Sequence, residues 1–161
     1  MTHRDRVEEL LAHAAAQHAT LLSQLPPDLQ ASLPVDAQGI TEAIEHLAVA
    51  AGMSAEERRA LVRPHAVNPA VMHARGFGRA PLSEETVMGS FVEGARVRAD
   101  ALAALADAVG GAALGAEVRA VLVDHPPPLA GGGLAAVPAL RATYAAQEQA
   151  AVLIAAGLDV R

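Results

Sequence analysis

The stretch that decides the fold class is residues 83–109, SEETVMGSFVEGARVRADALAALADAV. Its apolar side chains recur at steps of three and four, the spacing that places them on one face of an α-helix. Ser83 is a favourable N-cap, and the two glutamates after it suit the positive end of the helix dipole. We therefore predict a long helix, ended by two glycines at 110 and 111, whose one-sided stripe is Val87, Met88, Phe91, Ala95, Arg98, Leu102, Leu105 and Val109.

Three further segments show the same periodicity and predict amphipathic helices over residues 2–25, 40–51 and 134–156. Thr2 with Asp5 is a capping box at the start of the first of them, and Ser54 with Glu57 is another. The second capping box predicts a short helix over 55–62, and a further short helix is expected over 114–123. Gly52 and Gly157 are the expected C-terminal caps.

The segments between these helices predict connections without regular structure. They are residues 29–38, a proline-containing loop from Arg63 to Pro81, and residues 124–133, which hold three consecutive prolines and three consecutive glycines. No run of strand length alternates apolar and polar residues. We expect one all-α domain over residues 1–161, a four-helix bundle with a long loop between its second and third long helices.

Composition and charge exclude several classes of protein. The net charge is −6 and no basic cluster is present, so we expect no nucleic-acid binding. Cysteine is absent, which rules out disulfides and cysteine nucleophiles. The N-terminal residues carry no apolar signal core, and every long apolar run contains a charge, a proline or a glycine. We expect a soluble, cytoplasmic protein with no membrane span.

Four quoted stretches together resemble the DinB/YfiT-like superfamily of damage-inducible four-helix bundles, often described as metal-dependent hydrolases. They are RVEELLAHAAAQHATLLSQLPPDL at 6–29, GITEAIEHLAVA at 39–50, PLSEETVMGSFVEGARVRADALAALADA at 81–108, and HPPPLAGGGLAAVPALRATYAAQEQAAVLI at 125–154. The resemblance covers nearly the whole chain. It implies a bundle whose second and fourth helices together hold a metal.

The family's metal site uses one histidine from the second helix and two, spaced H-x-x-x-H, from the fourth. The resemblance places His46 at the first position, but Ala145 and Gln149 stand at the other two. Because alanine cannot ligate a metal, we expect no cofactor of the family type. A rearranged site would use His46 with the nearby Glu148, and Zn²⁺ or Ni²⁺ would then suit the imidazole.

We place a candidate pocket between the second and fourth long helices, lined by His46, Tyr144 and Gln149. Buried polar side chains need partners, so such a group indicates either a small-molecule cavity or a former site that now holds water. The alternative for His46 is a structural histidine bonded to Glu42 or Tyr144. We expect His3 to be a surface residue near the terminus.

Three functional hypotheses follow. The first is a DinB-like bundle that has lost its metal site and has a binding or structural, stress-related role, as a homodimer. The second is a metal-dependent hydrolase or thiol-dependent S-transferase of the same superfamily, using a rearranged site around His46. The third is a partner-binding module whose loop docks on another protein through Phe77 and neighbouring arginines.

Overall fold

The computed structural model describes residues 1–32, 36–62, 84–129 and 133–161, and within these ranges the chain is helical and contains no strand. The predicted all-α class is therefore confirmed for the described residues. The predicted loop from Arg63 to Pro81 and the N-cap Ser83 lie outside them. The helices are α1 (His3–Ser23), α2 (Pro27–Ser32), α3 (Gln38–Ala50), α4 (Ala55–Val62), α5 (Glu84–Val123) and α6 (Val137–Asp159), with a 3₁₀ turn at Gly133–Ala136 before α6.

Helix α1 begins at the predicted capping box. The Thr2 hydroxyl accepts from the backbone N–H of Asp5, and the Asp5 carboxylate accepts from the backbone N–H of Thr2. A second acid also serves this end, because the Asp159 carboxylate at the end of α6 accepts from the N–H groups of His3 (2.7 Å) and Arg4 (3.0 Å). Four polar groups at the start of α1 are thus satisfied.

Helix α2 was not predicted. It spans Pro27–Ser32, where we expected the first helix to be followed by an irregular connection over residues 29–38. Pro27 is tolerated there because the first position of a helix needs no N–H partner. The N–H groups of Leu29 and Gln30 both donate to the carbonyl of Pro26. The single turn is therefore stabilised by local bonds, which a hydrophobic pattern does not reveal.

Helices α3 and α4 follow the prediction closely. The expected apolar stripe of this helix was Ile40, Ala43, Ile44, Leu47, Ala48 and Ala51; the first five are buried in α3, and Ala51 is half-buried at its C-cap. Gly52 follows with a φ of 82°, a left-handed conformation suited to glycine after a helix. Ser54 and Glu57 then form the second capping box at the start of α4.

Helix α5 is broken at Gly111, where φ is 65° and ψ is −153°. We predicted a helix that ends at the glycine pair and a separate short helix over 114–123. The structure has both helical segments, joined at the kink. A bidentate ion pair spans the break, because the Arg119 guanidinium donates to both oxygens of Asp107 at 2.9 and 2.6 Å. The pair is exposed, so it contributes little to stability.

Helix α6 extends past its predicted end. Gly157 lies inside the helix, so its predicted role as a cap is wrong. A Cβ at this position would lie 2.9 Å from Leu114 Cδ2 and 3.4 Å from Val109 Cγ1. Glycine here permits the close approach of α6 to the kinked part of α5.

The core lies where α5 packs along α6, with α1 and α3 closing over α6 from another side. Within the described residues, the segment Met88–Val123 is long and apolar enough to cross a membrane by length and composition alone. The same segment supplies core residues: Val92, Ala95, Leu102, Leu105, Ala106 and Val118.

Two glycine substitutions test the closeness of α1 and α3. A Cβ at Gly39 would lie 2.7 Å from Ala14 Cβ and 3.4 Å from the Leu11 Cα, so Gly39→Ala must push the two helices apart. We expect the free energy of unfolding to fall by about 1–3 kcal/mol. Chemical denaturation followed by circular dichroism measures it.

The matched control is Gly89→Ala in α5, where a Cβ would meet nothing within 4 Å. That variant should gain about 0.5–1 kcal/mol, because alanine restricts the unfolded chain more than glycine does. Equal effects at the two positions would contradict the close contact between α1 and α3.

Candidate functional site

A cavity of about 290 Å³ lies between α1, α3 and α6. Its walls are mainly small or aliphatic side chains, and a few polar groups converge on it. A pocket of this kind, apolar with a small number of polar groups, is typical of small-molecule binding sites. The lining residues are Leu11, Ala14, Ala15, His18, Ala19, Leu22, Asp36, Gly39, Ile40, Arg141, Tyr144, Ala145 and Glu148.

The cavity follows from the alanines on the facing helices. Ala15 and Ala19 of α1 are one turn apart, and Ala145 of α6 faces the same space. Alanine side chains end at Cβ, so the three helices leave unfilled volume beside the close contact of α3 with α1 at Gly39. Small side chains on the facing helices therefore produce the cavity.

Glu148 and Tyr144 line the cavity from adjacent turns of α6. Burial raises the pKa of the Glu148 carboxyl above its ordinary value, although the residue remains partly exposed. Burial also raises the pKa of Tyr144, which the positive charge of Arg98 partly offsets. At neutral pH Tyr144 is a hydrogen-bond donor.

Arg98 of α5 is buried against Tyr144, with only 7% of its surface exposed. Its guanidinium carbon lies 4.9 Å from the centroid of the Tyr144 ring, a cation–π contact. Its Nε–H donates to Gln147 Oε1 at 3.2 Å, and Gln147 Nε2 donates to the carbonyl of Ala95 at 2.7 Å. Burial lowers the pKa of Arg98, yet a guanidinium stays protonated in proteins.

Two donors in this cluster lack a well-formed hydrogen bond. Arg98 Nη2 and the Tyr144 hydroxyl are buried, and among the described residues neither meets the geometry of a hydrogen bond, although the two groups are close enough to shift each other's pKa. No side chain that the structure describes forms an ion pair with Arg98. The spacing of apolar residues placed Arg98 in the buried stripe, but it could not predict that Gln147 and Tyr144 of α6 would contact it.

His46 lies elsewhere, against the start of α1. Its Nε2 is 3.0 Å from His3 Nδ1, and the two rings are tilted by 50° with centroids 5.2 Å apart. The partner is therefore His3, and the expected bond to Glu42 or Tyr144 is not formed. Burial, followed by the charges of His3 and Arg6, lowers the pKa of His46.

The predicted site residues are thus divided between two places. Tyr144 and Glu148 line the cavity, whereas His46 and Gln149 do not. Gln149 is exposed on α6. His3, which we expected to be a surface residue, is half-buried beside His46, and 43 positions of sequence separate the pair.

The residues that the resemblance placed at metal-ligand positions do not fit a three-imidazole metal site. His46 pairs with His3, Ala145 has no ligand atom, and Glu148 faces a cavity that His46 does not reach. Among the described residues, no group of three or more histidine, aspartate or glutamate side chains is placed to hold a metal ion. No family model, curated protein or solved structure matches this chain.

The lowered pKa of His46 predicts a pH-dependent stability. The unfolded chain takes up the proton first, so the folded state loses stability as pH falls below about 6.5, the ordinary pKa of histidine. We expect His46→Gln to weaken this loss. Thermal unfolding between pH 8 and 5 measures it, with the exposed His13→Gln of α1 as control; an equal effect of both variants would contradict the assignment.

Removing the hydroxyl of Tyr144 or that of its neighbour Thr143 tests whether the Tyr144 hydroxyl lacks an acceptor. Tyr144→Phe should leave the free energy of unfolding unchanged or raise it, because a buried, unpaired hydroxyl stabilises nothing. Thr143→Val should lower it by about 1 kcal/mol, because the Thr143 hydroxyl contacts the carbonyls of Pro126 (2.9 Å) and Ala139 (3.1 Å). Chemical denaturation compares them, and a larger loss in Tyr144→Phe would contradict the geometry.

Proposed function

We propose that this chain is a binding protein that takes a small, largely apolar molecule into the cavity between α1, α3 and α6. The observation that carries this proposal is the cavity itself, about 290 Å³ with aliphatic walls and a few polar side chains among them. That volume is at the lower end of the range of ligand pockets.

The wider proposal is a DinB-like four-helix bundle without the family's metal site, acting by binding rather than by catalysis. The long helices α1, α3, α5 and α6 are consistent with it, as is the pairing of His46 with His3. A homodimer is the proposed assembly, and light scattering on the purified protein would measure it.

Binding can be tested with N-phenyl-1-naphthylamine, an uncharged dye that fluoresces in apolar surroundings. We expect saturable binding to the wild type. Ala15→Phe, which places a ring in the cavity, should weaken binding at least tenfold. Fluorescence titration gives the dissociation constants.

The matched control is Ala16→Phe on the same helix, which does not line the cavity and is also exposed. It should bind the dye as the wild type does. No saturable binding to the wild type, or an equal loss in both variants, would refute the cavity as a binding site.

The second candidate is a metal- or thiol-dependent transferase or hydrolase that uses a rearranged site around His46. The observation in its favour is the 3.0 Å separation of His3 Nδ1 and His46 Nε2, since two imidazole nitrogens this close can be drawn to one divalent ion. Calorimetric titration with Zn²⁺ or Ni²⁺ separates the candidates. Stoichiometric micromolar binding that is lost in His46→Gln would favour the enzyme.

A further inference from the structure

We propose that the molecule bound in this cavity carries one carboxylate, which accepts hydrogen bonds from the Tyr144 hydroxyl and from Arg98 Nη2. The inference rests on the proposed binding function and names the chemical class of its ligand. It comes from the two buried donors for which the described residues supply no well-placed acceptor.

An unpaired buried donor is costly, and a buried charge without a counter-ion more so. Arg98 Nε is used by Gln147, so the orientation of the guanidinium is fixed while Nη2 stays free. Folded proteins pair the great majority of such groups. The two free donors belong to residues in direct contact, Arg98 and Tyr144, so a single acceptor group can satisfy both.

Tyr144 connects this cluster to the cavity. Its side chain lines the cavity, and its ring lies under the guanidinium of Arg98. The hydroxyl and Nη2 are covered in the unliganded chain, so the proposal requires the Tyr144 side chain to turn before a ligand in the cavity can reach them. The neighbouring wall residues Ala14, Ala15 and Ala145 are small.

The charges around the cavity favour a single over a double negative charge on the ligand. Asp36 and Glu148 line the same space and oppose any anion, but they repel a doubly charged group more strongly than a singly charged one. The guanidinium of Arg98, on which the charge of Asp36 also acts, compensates one negative charge. A carboxylate with two acceptor oxygens matches one guanidinium donor and one hydroxyl donor, and the aliphatic walls accommodate the rest of the molecule.

Competition against the bound dye N-phenyl-1-naphthylamine tests this with three compounds of one chain length: octanoate, octanamide and octyl phosphate. At pH 8 and constant ionic strength, octanoate should displace the dye at a concentration at least tenfold below that of octanamide or octyl phosphate. A hydrogen bond to a charged group is strong enough for a preference of this size.

The variants locate the preference. Arg98→Met should reduce the advantage of octanoate over octanamide to less than threefold, and Tyr144→Phe should reduce it by about five- to tenfold, while both still bind the dye. The matched control is Arg96→Met, an exposed arginine on the same helix as Arg98 that does not line the cavity, which should keep the advantage within threefold of the wild type. Arg141→Met removes an exposed arginine from the rim of the cavity and tests whether the rim recognises the anion instead. Should Arg98→Met fail to fold, Tyr144→Phe alone decides.

The outcomes separate the two proposals. If the dye binds but octanoate and octanamide displace it equally well, the carboxylate assignment is overturned and the binding function stands. The same holds if octyl phosphate displaces the dye at a lower concentration than octanoate does. Loss of the preference in Arg141→Met but not in Tyr144→Phe also overturns it, because the rim then recognises the anion. Absence of dye binding to the wild type removes the binding function itself.

Discussion

Leu102 and Leu105 of α5 and Leu140 and Ile154 of α6 are completely buried, and the contact between these two helices holds the remaining elements in place. Burial of each such side chain is worth about 1.5–3 kcal/mol. The same interface contains Arg98, one turn before Leu102, together with Gln147. Apolar packing between α5 and α6 thus buries the charged side chain of Arg98, although a guanidinium is better solvated in water.

Local signals predicted those parts of the fold that local bonds determine. Thr2 with Asp5 and Ser54 with Glu57 each close a bond across three residues, and the structure forms both. The break at Gly111 is likewise a property of one residue's φ. Gly157 failed as a cap because a neighbouring helix, not the local backbone, requires a glycine there.

The candidate site was less predictable, because it depends on which way each helix turns. Tyr144 and Glu148 are four residues apart and face one cavity, while Gln149, one residue further, is rotated by about 100° and faces solvent. His46 was expected to face the same space, yet its ring meets His3. Neither that pairing nor the contact of Arg98 with Gln147, 49 positions away, leaves a trace in sequence periodicity.

The bonds from Asp159 to the first turn of α1 join opposite ends of the described chain. Helix ends normally fray independently, each with a small local opening free energy. Here one carboxylate holds the amides of His3 and Arg4, so unwinding the last turn of α6 exposes the first turn of α1 as well. These two bonds therefore couple the opening of the last turn of α6 to that of the first turn of α1, although the paired residues lie more than 150 positions apart in sequence.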